Sequence, residues 1–142
     1  MNGESAGTAL KHIIIISSIN GTEVNALTAI EKVHAVASML NNKKAKDITA
    51  IEIKDLTALG DYFIIASGTS STQVKALSDA VEEGMTALGF EPLRVEGYQS
   101  GMWVVLDYTE VIVHLFYEQT REFYSLERLW ADAPKVALKL ED

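Results

Sequence analysis

The sequence predicts one α/β (α+β) domain, a mixed β-sheet of about five strands flanked by helices. Three observations point there. Apolar stripes at helical spacing alternate along the chain with short runs of strand period. Residues 61–67 are apolar on both faces, as a central strand covered on both sides requires. Residues 102–107 and 111–117 are two apolar runs separated by three residues, which reads as a hairpin.

A chain of 142 residues fits one domain able to bury a core, and 48% hydrophobic residues exclude wholesale disorder. Residues 1–21 read as a poorly ordered arm, residues 22–136 as the domain and residues 137–142 as a tail. In the arm, Ile13-Ile14-Ile15-Ile16 is shorter than the roughly 7–15 residues of a signal-peptide core, so a cytoplasmic protein is expected. No apolar run nears the roughly 18 residues of a membrane span.

From Thr22 a helix is expected, because Val24, Leu27, Ile30, Val33, Ala37 and Leu40 form one stripe. His34 beside that stripe reads as packing. Lys43, Lys44 and Lys46 then place cations at the negative end of the helix dipole. Residues 48–54 alternate, with Ile51 and Ile53 on one face and Glu52 and Lys54 on the other, so they predict a half-buried strand. After the central strand, Gly68-Thr69-Ser70-Ser71 opens a second helix with capping-box spacing between Ser70 and Gln73. Val74, Leu77, Val81, Met85 and Leu88 form its buried stripe, and Gly89 its C-terminal cap. A strand over 92–96 then makes a right-handed crossover the expectation. The hairpin follows, and a single helical segment over 118–130 should place Phe123, Leu126 and Trp130 on one side. The last eight residues are expected to be loosely held.

The chemistry is bounded largely by what is missing. There is no Cys, which removes disulfides, thiolate metal sites and Cys nucleophiles together. His12, His34 and His114 are far apart in sequence, which argues against a multi-His metal site, so no metal or cofactor is expected. The Gly68-Thr69-Ser70-Ser71 turn could hold phosphate on backbone N–H groups, but the same residues are what an ordinary N-cap demands, and the capping reading is preferred. Strand, Gly/Ser turn and helix in a mixed sheet also suggest a nucleotidyltransferase scaffold. That chemistry needs paired carboxylates for Mg²⁺, and Asp107 and Glu110 flank a turn at the wrong spacing.

Net charge is −8, which opposes broad phosphate-backbone binding. Residues 1–46 carry five lysines and three glutamates, net +2, so residues 47–142 carry −10. Eight of eleven aromatics lie between 97 and 130, interleaved with Asp107, Glu110, Glu118, Arg121, Glu122, Glu127 and Arg128. Trp, Tyr and Arg dominate interface hot spots, although a small domain also needs aromatics for its core.

Five blocks in order carry a resemblance. They are Asp61-Tyr62-Phe63-Ile64-Ile65-Ala66-Ser67-Gly68-Thr69-Ser70-Ser71; Arg94-Val95-Glu96-Gly97-Tyr98; Trp103-Val104-Val105-Leu106-Asp107-Tyr108; Val111-Ile112-Val113-His114-Leu115-Phe116; and Leu126-Glu127-Arg128-Leu129-Trp130-Ala131-Asp132-Ala133-Pro134. Over about residues 24–136 the chain closely resembles the ribosomal silencing factor family (RsfS, or iojap). The resemblance implies a non-enzymatic factor on a nucleotidyltransferase-like scaffold without the catalytic carboxylates. Such factors bind the large ribosomal subunit at large-subunit protein fourteen and sterically block the small subunit, lowering translation. Carried over by motif, the contact positions are Trp103, Asp107, His114, Glu118, Arg121, Tyr124, Leu126, Glu127 and Trp130, with Trp103 and Tyr124 foremost. Leu129 is assigned to packing as readily as to contact. The arm lies outside the family pattern, and Gln119-Thr120 stands where the family is often more acidic. The expected partner is a basic protein, with neither RNA readout nor a membrane. The alternatives are a phosphate- or nucleotide-binding protein using the Gly68 turn and Asp107, and a homodimer built on the aromatic face or the Ile13-Ile14-Ile15-Ile16 run.

Overall fold

The computed structural model describes residues 27–141; the expectations for the arm, and for the first turn and a half of the helix from Thr22, fall outside them. Helix α1 spans Ala29–Asn42. It starts at Thr28, whose hydroxyl accepts from the Glu31 N–H while the Glu31 carboxylate takes the Thr28 N–H, a full capping box. Leu27 therefore stands before the helix, though it is still buried.

Strand β1 is Lys46–Glu52, β2 is Tyr62–Gly68 and helix α2 is Ser71–Ala87. Leu88 caps α2, and Gly89 follows at φ +94°, the left-handed position a glycine takes without strain. Strands β3 (Arg94–Glu96), β4 (Trp103–Asp107) and β5 (Val111–Tyr117) come next. The expected hairpin is β4–β5, closed by Tyr108 N–H to Val111 O with Thr109 at φ +73°.

Among the described residues the sheet has six strands in the order β3-β4-β5-β2-β1-β6, of which only β2 and β5 pair in parallel; the other pairs are antiparallel. The sixth strand corrects the expectation of a loose C-terminus. Lys135–Val136 (β6) pairs with Ile51 and Ala50 of β1, and the Asn41 side chain donates to the Glu141 carbonyl. Two residues carry too little pattern to read as a strand; the open edge of β1 makes them one.

The sheet has two unlike faces. Val104, Leu106, Val113, Leu115, Ile64 and Ala66 point to the helices and meet Val33, Val36 and Leu40 of α1 and Val74, Leu77, Val81 and Met85 of α2. These side chains are all but sealed from water, each worth about 1.5–3 kcal/mol for full burial of the larger ones. The alternate residues, Ile51, Ile53, Phe63, Ile65, Ile112 and Phe116, face the other way. Among the described residues, no long helix lies on that face.

It is covered instead by the C-terminal segment, where a second correction falls. The predicted continuous helix over 118–130 is two short ones, α3 (Glu118–Tyr124) and α4 (Leu126–Leu129). Ser125 at φ +49° breaks them apart. Leu126 is buried and Trp130 packs on Phe63, but Phe123 swings into solvent at 81% exposure. The three do not share a side.

Candidate aromatic docking face

Strand alternation places Trp103 on the face away from the helices, because Val104 and Leu106 take the other. Across the β4–β5 ladder Trp103 pairs with Phe116, and their rings lie 4.8 Å apart. The Trp103 Nε1–H donates to His114 Nδ1 at 3.1 Å. Phe63 on β2 meets the His114 ring edge-on at 4.5 Å and Trp130 at 5.5 Å. Tyr124 of α3 lies 5.0 Å from Trp103. The result is an aromatic row from Trp130 across Phe63, His114 and Trp103 to Tyr124, worth about 0.5–1.5 kcal/mol per good pair beyond burial.

His114 is the hinge of this row. Burial pushes its pKa down to about 4, so the ring is neutral near pH 7 and its Nδ1 can accept from the indole. The unfolded chain binds this proton near pH 6.5 and the fold resists it until about pH 4, so stability falls as pH drops through that window. Between pH 7 and pH 5 the loss from this group should be about 2 kcal/mol. His114→Gln, which keeps an acceptor for the indole, should flatten that part of the acid limb; urea denaturation of both proteins at the two pH values checks it.

Tyr124 at the end of the row is exposed, as are Met102, Phe123 and Leu129 outside it. Met102, Trp103, Tyr117, Thr120, Phe123 and Tyr124 line a shallow groove of about 460 Å³. A more polar cleft of about 650 Å³ adjoins it, lined by Asp47, Ser67, Glu118, Arg121, Glu122 and Arg128 among others. Met102 and Phe123 were not among the sequence-derived contact positions. Phe123 was hidden because a continuous helix would have turned it inward, and Leu129, left open between packing and contact, is 74% exposed.

The sequence-derived positions separate. Trp103, His114, Tyr124 and Trp130 form the row. Glu118 lines the polar cleft, 3.8 Å from Lys46. Leu126 is buried beneath the segment. Arg121 and Glu127 bind each other, with Arg121 Nε to Glu127 Oε2 at 2.8 Å. Asp107 is at the opposite end of β4 from Trp103, about 13 Å along the strand. There it meets Arg94 at 3.4 Å and accepts the Thr109 N–H.

The Gly/Ser turn is occupied with its own helix. Ser70 Oγ accepts the Gln73 N–H, and Gln73 Oε1 accepts both the N–H and the hydroxyl of Thr69. The Ser70 half of the expected capping box is in place, while the Gln73 side chain reaches back to Thr69 instead of Ser70, so the N–H groups of Thr69 and Gln73 are engaged. Among the described residues, no three His, Asp or Glu side chains gather as a metal site.

Comparison with known proteins agrees with this architecture. Residues 26–142 match the family model described as ribosomal silencing factor during starvation. The chain is 35% identical over 109 residues to the ribosomal silencing factor RsfS of Halalkalibacterium halodurans, covering 77% of this chain and 93% of that one. It is 31% identical over 98 residues to the mouse mitochondrial assembly of ribosomal large subunit protein 1, of which it spans 43%. A crystal structure of a Chromobacterium violaceum protein superposes with a TM-score of 0.72 at 33% identity, covering 74% of this chain and 88% of that one.

Proposed function

We propose that this chain, which belongs to the ribosomal silencing factor family, represses translation without chemistry of its own. It would dock on the large ribosomal subunit at large-subunit protein fourteen and occupy the space the small subunit needs. The observation that carries this reading is the aromatic row with its exposed rim. Met102, Phe123 and Tyr124 put apolar side chains in water beside half-buried Trp103, Leu129 is exposed next to Trp130 in the chain, and acidic Glu118 and Glu122 line the adjoining polar cleft. Rigid aromatic anchors within a charged border are the usual build of an interface hot spot. Residues 47–142 carry −10, which favours a basic protein surface and repels RNA phosphates. The mouse relative's name, which places it in large-subunit assembly, supports the same side of the ribosome.

Purified large subunits should carry the protein down on sedimentation, and small subunits should not. Isolated protein fourteen should compete for it. A homodimer through the same patch is the rival use of this surface, and it would weaken docking as protein concentration rises. Calorimetry with ATP or CTP and Mg²⁺ should give no heat of binding. Clear binding, abolished by Asp107→Asn, would move the reading to a nucleotide-binding protein.

A further inference from the structure

Helix α3 has no evident reason to be held in place. It has seven residues, no side-chain cap and no buried residue. A free helix of that length is unstable in water. Yet it carries Tyr124 over Trp103 and puts Phe123 at the rim.

One guanidinium accounts for its position. Arg121 Nη1 donates to the Asp47 carbonyl at 2.8 Å and to Ser67 Oγ at 2.9 Å, and Nε donates to Glu127 Oε2. The Arg121 side chain is only 11% exposed. It therefore joins β1, the end of β2, α3 and α4 at one point. Two backbone irregularities serve it. The register of β1 shifts between Lys46 and Thr49, with Asp47 at φ +53°, and the Asp47 carbonyl is the one Arg121 binds. Ser125, also left-handed, turns the chain so that Glu127 comes back to Arg121. Non-glycine residues in that conformation cost free energy, so two of them converging on one side chain mark it as the organising group. Ser67, a polar residue buried at the end of the central strand, has its hydroxyl satisfied by the same contact.

We propose that Arg121 is a positioning residue of the docking face: it pins α3 to the sheet end, seats Tyr124 on Trp103, and acts on the partner only through them. This rests on the docking function proposed above. Tyr124 lies three residues on from Arg121, so a fixed Arg121 fixes the same side of the turn.

The test reads the free protein and the complex separately, in Arg121→Ala, Arg121→Lys and Glu127→Ala. In the free protein, NMR follows the Trp103 indole N–H shift and the Tyr124–Trp103 ring contact, with amide exchange of β2 and β5 reporting the fold. In the complex, sedimentation with large subunits gives affinity. Arg121→Ala should keep β2 and β5 protected, lose the ring contact and bind about tenfold more weakly. Arg121→Lys, a point charge without the fork, should fall between it and the parent in both readouts. Glu127→Ala should move the same signals in the same direction. Binding lost with the Trp103 and Tyr124 signals unchanged would mean that Arg121 touches the partner, and overturns the proposal. So would all signals unchanged, or loss of β2 and β5 protection in both Arg121 variants. If the parent itself does not sediment with large subunits, the docking function fails, while the NMR arm still decides whether Arg121 seats Tyr124.

Discussion

Trp103→Ala should weaken binding to the large subunit by at least tenfold while leaving a folded domain. The indole sits at the centre of the row, with Phe116 and Tyr124 against its ring and His114 as acceptor for its N–H. Truncation removes contact area, leaves the Tyr124 ring unsupported and leaves buried His114 without its donor. About 2–3 kcal/mol of stability should go with it, below the range of a fully buried Trp because the ring is only partly sealed. Helix-side residues such as Leu106 and Leu115 do not touch it, so far-UV circular dichroism should stay native. Trp103→Phe keeps a ring and drops the N–H, and should recover most of the binding. Phe123→Ser is the complement. With Phe123 81% exposed, it should cost little stability and still reduce binding. Urea denaturation and sedimentation on the same three variants separate packing from contact.

Gly97→Ala should be the most damaging of single-methyl changes. Gly97 lies just after β3 at φ +81°, where any Cβ is strained, and a Cβ there would come within 2.0 Å of the Trp103 carbonyl oxygen. That neighbour is backbone of β4, so it cannot turn aside. The turn is also closed by Gly101 N–H to Gly97 O. Relief requires moving the β3–β4 connection and Trp103 with it. A loss of about 3 kcal/mol is expected from strain and displacement together, read as a fall in urea midpoint with unchanged slope. Because the shift reaches Trp103, binding should drop with it.

The parts of this fold that could be read in the sequence are those with a strong local period. The doubly apolar 61–67 run, the alternating 48–54 run, the α2 stripe and the 102–117 hairpin each specify their element without help from the rest of the chain. The unread parts depend on partners distant in sequence. Lys135–Val136 is a strand only because β1 offers it an edge. The break at Ser125 carries no glycine or proline to announce it, and its left-handed turn is sustained by Glu127 reaching Arg121. That one break decides that Phe123 faces water and that Arg121, an interface residue by type, is spent inside the protein. Hairpin register places Trp103 and His114 on one face, whereas Tyr124 and Trp130 reach that face only through the turn of the C-terminal segment. Asp107 could not be set apart from them, since four positions along one strand keep the same face and change the end.

The central claim is occlusion, and subunit joining tests it most directly. Isolated large and small subunits, mixed at a Mg²⁺ concentration that supports joining and centrifuged through sucrose, should give fewer joined ribosomes when the protein is added first. The protein should then be found with the large subunit only, and the Trp103→Ala variant should restore joining. Joined ribosomes undiminished, with the protein remaining at the top of the gradient or riding on them, would contradict the account.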